Sequence, residues 1–143
     1  MVIMKISPGI FKAYDVRGKV GSELTNDVVE KIGKALANWL PQKGPVAVGR
    51  DMRPDSAALA NAMVKGLTSQ GRDVWNIGLV TSDMIYFAAG KYGLAGGVVV
   101  TASHNPGEYN GIKFCREEAK PISEDTGLLE IRDVAIESSF IAR

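Results

Sequence analysis

Short apolar runs of strand length alternate in this chain with segments whose apolar residues recur at helical spacing, and this alternation constrains the fold most. Buried strands are predicted at 45–49, 73–77, 97–102 and 111–115. Helices are predicted from Thr25 to Leu40, from about Ser56 to Gly71, over 82–93, and from about Ser123 onward. Strands separated by helices favour right-handed crossovers and a parallel sheet that helices cover on both faces.

The composition indicates a single domain and excludes several classes of function. The 143 residues are 45% hydrophobic, which is enough for one core, and the net charge of +1 predicts no nucleic-acid partner. One cysteine and one histidine leave no disulfide framework and no zinc cluster. No apolar run approaches the roughly 20 residues of a membrane span, and the N-terminus lacks a signal-peptide core. We therefore expect a cytoplasmic protein without membrane association.

Three loops follow the predicted parallel strands, and ligands of such sheets bind beyond the carboxyl ends of the strands. The loops are 50–54, 78–82 and 101–110. The third contains Ser103, followed directly by His104 and Asn105. Candidate chemistry is therefore expected around Ser103.

The residues alone leave several roles open for Ser103. A hydrolytic nucleophile is disfavoured, because the pattern G-x-S-x-G is absent and His104, as the next residue, points to the opposite side. Ser103 as a phosphoryl carrier would need cationic and polar groups, which His104, Asn105 and Lys113 offer. A nucleotide donor is not indicated, since no Walker A motif occurs. The remaining alternative is a plain turn rich in Asn, Pro and Gly.

Three stretches in order resemble motifs of the α-D-phosphohexomutase superfamily. They are T-A-S-H-N-P-x-x-x-N-G-x-K at 101–113, F-K-A-Y-D-V-R-G at 11–18 and G-R-D-M-R at 49–53. Their text is most similar to that of the bacterial phosphomannomutase/phosphoglucomutase branch. The resemblance extends over nearly the whole chain and corresponds to the first, phosphoserine-bearing domain of these enzymes.

The resemblance implies a three-layer α/β/α sandwich. Its four-stranded, mostly parallel sheet would have the order 2-1-3-4 in the numbering of the four predicted strands, with the last strand antiparallel. Residues 1–143 would form domain 1, while domains 2 to 4 are absent from this sequence. The final residues, SSFIAR, would be either the start of an interdomain linker or an altered end.

The implied function is interconversion of hexose 1-phosphate and hexose 6-phosphate, of mannose or glucose, through a hexose 1,6-bisphosphate. Ser103 would carry the phosphate, and Arg50 and Arg53 would orient its loop through ion pairs with Asp51 or Asp15. The resemblance assigns catalytic roles to Ser103, Lys113 and Arg17, and substrate or phosphate binding to Tyr14, His104 and Asn105.

The cofactor implied by the resemblance is Mg²⁺, bound here only through the phosphate on Ser103. Its other ligands would belong to a second domain outside this chain. The other domains of a parent chain are the implied partners, so the isolated chain is expected to be inactive. The alternative is a single-domain sugar-phosphate-binding or interaction module without turnover.

Overall fold

A computed structural model describes residues 5–138 and 140. The terminal SSFIAR segment, predicted to be the start of a linker or an altered end, lies mostly outside these residues. Strands and helices alternate along the described chain. The strands are β1 (Val16–Lys19), β2 (Val46–Arg50), β3 (Val74–Leu79), β4 (Gly96–Val100) and β5 (Tyr109–Arg116). The helices are α1 (Asn26–Trp39), α2 (Ser56–Ser69), α3 (Ser82–Lys91) and α4 (Leu128–Glu137), with short 3-10 turns at Pro8–Ile10, Glu117–Ala119 and Glu124–Thr126.

The sheet is mixed and has five strands in the order β1-β5-β4-β2-β3. β2 runs parallel to β3 and β4, whereas β5 runs antiparallel to both β4 and β1. The prediction of a four-stranded, mostly parallel sheet is therefore wrong, because a fifth strand is present and two of the four strand pairs are antiparallel. The predicted order 2-1-3-4 describes only four of the five strands. The four predicted strands lie side by side as β3, β2, β4 and β5, and β1 extends the sheet beyond β5.

β1 was missed because its sequence, VRGK, lacks a strand pattern. It has four residues, of which only Val16 is apolar. Its place is set by pairing with β5, in which Val16 lies opposite Ile112 and Lys19 opposite Tyr109. An edge strand buries less than a central one and needs little hydrophobic sequence.

The two faces of the sheet carry different helices. Ile112 and Phe114 of β5 pack into the larger apolar cluster, which includes residues of α1, α2 and α4. Val99 and Cys115 belong to the smaller cluster, which includes residues of α3. Because successive strand residues point to opposite faces, the helices form a layer on each side of the sheet. No helix within residues 5–138 and 140 is long and apolar enough to cross a membrane.

The last helix begins at Leu128, later than the predicted start at about Ser123. Ser123 instead forms a capping box with Thr126 on a 3-10 turn, and Gly127 follows with a φ of 131°. A Cβ at residue 127 would lie 2.0 Å from the Trp39 ring. Only glycine permits this backbone and this contact, so the chain turns here before α4 starts.

We expect Cys115 to resist alkylation in the folded protein. Its side chain is fully buried, and burial raises the pKa of the thiol to about 12. The thiolate is the reactive form, and it is scarce at about pH 8 when the pKa is this high. Intact-mass measurement after iodoacetamide treatment should show modification only once urea unfolds the protein. Rapid modification under native conditions would contradict this burial.

Candidate functional site

The three loops predicted to carry the site meet at the carboxyl ends of β2, β3 and β4. The amide of Asp51 donates to Val100 O at 3.0 Å, and the amide of Val80 donates to Arg50 O at 2.9 Å. A cleft of about 600 Å³ between them is lined by Ser103 and His104 and by exposed apolar side chains. The apolar residues lining it include Met52, Leu79 and Met84. The predicted convergence of the loops is thus present.

Ser103 stands exposed at the tip of a tight turn after β4. Its φ is 56°, in the left-handed region that non-glycine residues rarely adopt. Its amide donates to Thr101 Oγ1 at 3.0 Å, and Asn105 donates from Nδ2 to Ala102 O at 2.7 Å. A left-handed residue costs about 1–2 kcal/mol. Contacts of the surrounding loop must offset this cost, a pattern that is frequent at functional sites.

Four of the predicted site residues border two clefts that share lining residues near Ser103. A cleft of about 290 Å³ is lined by Arg17, Ser103, His104, Asn105 and Pro106. A second, of about 570 Å³, is lined by Tyr14, Arg17 and Asn105 among others. Arg17 and Asn105 border both clefts. The structure therefore brings Arg17, His104 and Asn105 together with the exposed serine, and Tyr14 borders the neighbouring cleft.

Arg17 is held at this position by β1. Its Nε lies 2.9 Å from Oδ2 of Asp15, whose side chain is buried. Across the strand pair Arg17 lies opposite Gly111, where a Cβ would come 2.4 Å from Val16 O and 3.2 Å from Arg17 Cγ. The glycine of the N-G pair thus permits β1 to approach β5. Because β1 lies this close to β5, Arg17 lies beside the Ser103 loop.

Lys113 lies deeper in the sheet than the sequence suggested. β5 begins at Tyr109 and not at residue 111, and Lys113 is half-buried opposite Val99. Val99 is two residues before Thr101, so the Lys113 backbone sits about 7 Å back from the loop. Its flanking residues Ile112 and Phe114 point into the cluster on the other face, as predicted. Lys113 does not line the three clefts described above, and its role stays a prediction.

Arg53 hydrogen-bonds the Ser103 loop directly, whereas the sequence predicted that it orients the loop through an ion pair. Its Nε lies 3.6 Å from Asp51 Oδ2, so the expected pairing with Asp51 is present. Its Nη1 donates to Pro106 O and Tyr109 O, each at 2.9 Å. Its Nη2 donates to Ser103 O at 3.2 Å and Asn105 O at 2.5 Å. Arg50 instead donates from Nη1 to Asp51 O at 3.2 Å.

A buried polar chain connects Asp51 to the start of β5, and sequence reasoning missed two of its members. Ser56 donates its hydroxyl to Asp51 Oδ1 at 2.5 Å and accepts from Asn110 Nδ2 at 2.9 Å. Both Ser56 and Asn110 are fully buried. The asparagine of the N-G pair was the available signal, because a buried amide needs partners. Its partner could not be identified from sequence.

The described residues do not by themselves fit a magnesium site. Within residues 5–138 and 140, no group of three or more His, Cys, Asp or Glu is placed to hold a metal ion. Two carboxylates beside the loop are engaged, Asp15 by Arg17 and Asp51 by Arg53 and Ser56. A phosphate on Ser103 would be one oxygen ligand, fewer than a hard cation requires.

Taken with the fold, this geometry defines an α/β domain that presents a serine and an ion-paired arginine at its ligand edge. The family model for phosphoglucomutase/phosphomannomutase, alpha/beta/alpha domain I, matches residues 8–141. The chain belongs to this family.

Individual relatives agree with the family match. A protein of Xanthomonas campestris pv. campestris (strain B100) described as phosphohexose mutases is 54% identical over 123 residues, 86% of this chain and 27% of that protein. A phosphomannomutase of Klebsiella pneumoniae is 49% identical over 91% of this chain and 82% of that protein. The crystal structure of a phosphoglucomutase/phosphomannomutase family protein from Burkholderia thailandensis has a TM-score of 0.87 at 34% identity, covering 96% of this chain and 32% of that one.

The chain therefore spans about a quarter of the Xanthomonas relative, 27% of its length. Activity of a whole mutase is accordingly a proposal for this chain.

Proposed function

We propose that this chain is the phosphoserine-bearing first domain of a mutase that interconverts hexose 1-phosphate and hexose 6-phosphate. The observation that carries the proposal is the exposed Ser103, held in a left-handed turn at the carboxyl edge of the sheet. Arg17, His104 and Asn105 surround it in one cleft. A serine presented in this way beside a cation suits transfer of a negatively charged phosphoryl group.

The proposed reaction consists of two opposite phosphoryl transfers. In the first, the bond between phosphorus and Ser103 Oγ breaks while a bond forms to the free hydroxyl oxygen of the hexose monophosphate. That hydroxyl gives its proton to a base, and Ser103 Oγ recovers a proton. In the second, the other phosphate of the bisphosphate returns to Ser103. The number of phosphoryl groups is conserved, so the reaction needs no nucleotide.

This chain's own residues would hold and orient the phosphate. Arg17 offers a guanidinium, the group best matched to phosphate oxygens, and Asp15 fixes its direction. Asn105 and His104 offer polar side chains beside it, and Tyr14, 79% exposed, borders the adjoining cleft. Lys113 would approach from the sheet and stabilise charge on the transferring group.

The proposed substrates are phosphates of mannose or glucose. The Klebsiella relative is named a phosphomannomutase, which supports a hexose phosphate without choosing between the two sugars. Magnesium would be bound by phospho-Ser103 together with ligands from outside this chain. No step above depends on it.

A second candidate function is a binding or interaction module without turnover. The observation that favours it is the exposed apolar rim of the cleft beside Ser103, in which Met52 is 79%, Leu79 62% and Met84 52% exposed. Such an apolar rim could also be the surface against which other domains of a parent chain pack. Mutase assays on the longer protein separate the two candidates, because a module would bind hexose phosphate but leave it unchanged.

We expect the isolated 143-residue chain to show no mutase turnover, whereas a longer protein that carries it should be active. Holding reactants and catalytic groups together supplies roughly 7–11 kcal/mol of a barrier, and this chain offers only one side of the site. The measurement is conversion of mannose 1-phosphate and glucose 1-phosphate, with glucose 1,6-bisphosphate added. Steady turnover by the purified domain alone would contradict the expectation.

A further inference from the structure

All four terminal N–H donors of Arg53 are directed at backbone carbonyls of one short segment. The acceptors are the carbonyl oxygens of Ser103, Asn105, Pro106 and Tyr109, at 2.5 to 3.2 Å. The side chain of Arg53 is 15% exposed, and its charge faces Asp51. The guanidinium is thus fully engaged by the loop and is not available to bind a substrate phosphate.

This arrangement has a mechanical consequence for Ser103. The four carbonyls lie at both ends and in the middle of the 103–109 segment, so one rigid planar group fixes the whole turn. One acceptor is the carbonyl of Ser103 itself, the residue whose backbone is in the left-handed region. Lysine could not reproduce this, because its ammonium lacks the planar fork that reaches several acceptors at once.

Arg53 is in turn anchored to the body of the domain. Asp51 accepts from the Arg53 amide at 3.1 Å as well as facing its side chain. The buried chain from Asp51 through Ser56 to Asn110 then connects the loop after β2 with the start of both α2 and β5. The arginine therefore transmits the rigidity of the sheet and of α2 to the exposed serine turn.

We propose that Arg53 is a positioning residue that holds the Ser103 turn in the geometry required for phosphoryl transfer, without touching the phosphate. The inference deepens the proposed function and rests on it. It gives the second arginine of the G-R-D-M-R stretch direct hydrogen bonds to the serine loop, where the sequence predicted orientation through an ion pair alone.

The chain contains a matched control in Arg72. Its guanidinium also donates to four backbone carbonyls, those of Ala37, Leu40, Gln42 and Gly44, at 2.7 to 3.2 Å. Those acceptors lie in the last turn of α1 and in the loop before β2, at the end of the sheet opposite to Ser103. Arg72→Lys therefore removes the same kind of contact without altering the serine turn.

The experiment compares Arg53→Lys and Arg72→Lys in the longer protein. The rate at which glucose 1,6-bisphosphate phosphorylates Ser103 is measured by mass spectrometry, and kcat and KM by mutase assay. Hydrogen exchange of the 103–109 amides and melting temperature are measured alongside. For Arg53→Lys we expect kcat and the phosphorylation rate to fall between about 10-fold and 10²-fold. The upper figure is the loss that a displacement of about 1 Å can cause.

In Arg53→Lys the exchange of the 103–109 amides should rise and KM should change little. In Arg72→Lys the phosphorylation rate should stay within about twofold of the wild type even if both variants melt earlier. If Arg53→Lys is phosphorylated, and exchanges its 103–109 amides, at the wild-type rates, the role of Arg53 is overturned. It is also overturned if the phosphorylation rate falls as much in Arg72→Lys as in Arg53→Lys. If the wild type itself takes no phosphate at Ser103, the proposed function fails, and the positioning role fails with it.

Discussion

Replacing Ser103 with alanine in the longer protein is expected to lower kcat by at least about 10⁴-fold, the order seen when an enzyme loses its nucleophile. The reason is that Oγ is the atom proposed to carry the phosphoryl group, and no other hydroxyl replaces it at the tip of the turn. The measurement is steady-state mutase activity with mannose 1-phosphate and glucose 1-phosphate. Folding should be little affected, because the side chain is exposed and alanine has the same Cβ.

Ser138→Ala is the control for this substitution. Ser138 has the same left-handed φ of 56° and lies at the end of α4. The control should keep wild-type activity, and both variants should melt within a few degrees of the wild type. Full activity in Ser103→Ala would show that Ser103 does not carry the phosphate. A large drop in melting temperature would instead give it a structural role.

Lys113→Ala is expected to lower kcat/KM by at least about 10²-fold, since a positioned cation or acid–base group contributes about 10²–10⁴-fold. Lys113 faces away from the cluster that buries Ile112 and Phe114, and its partner Val99 lies two residues before the cleft-lining Thr101. Only a long side chain can act at the loop from there. Stability should change by about 1 kcal/mol or less, because Lys113 belongs to neither apolar cluster.

The control is Lys43→Ala, an exposed lysine at the opposite end of the sheet, which should leave activity unchanged. Arg17→Ala should lose activity to a similar degree as Lys113→Ala if Arg17 binds the transferring phosphate. Early melting with near-normal activity would show that Lys113 is structural. A loss of activity in Lys113→Ala alone would leave Arg17 with only its Asp15 ion pair.

The sequence predicted those elements whose own residues carry a strong hydrophobic pattern. α1 was expected from Thr25 to Leu40 and spans Asn26–Trp39, and the predicted core strand at 97–102 is β4, Gly96–Val100. β1 was missed because its position depends on pairing with β5 and not on its own apolar residues. The start of α4 was misplaced because Gly127 is set by a contact with Trp39, which lies far away in the sequence.

The residues of the candidate site also fall into those that the sequence could predict and those that it could not. Ser103, His104 and Asn105 were predictable as neighbours because they are consecutive, and Arg17 and Tyr14 came from the resemblance. The hydrogen bonds from Arg53 to the serine loop could not be predicted, since their acceptors are backbone carbonyls and residue types do not reveal where carbonyls point. Ser56 and Asn110 are 54 residues apart. Neither residue type alone indicates a buried partner.

The central claim, that Ser103 is the phosphoryl carrier, is tested most directly by mapping phosphate in the longer protein after incubation with glucose 1,6-bisphosphate. Trypsin should release residues 92–113, a peptide in which Ser103 is the only serine. The account predicts that this peptide gains one phosphoryl group located on Ser103, and that the group is lost again when hexose monophosphate is added. An active enzyme whose 92–113 peptide never carries phosphate, or carries it on Thr101 or a tyrosine, would contradict the account.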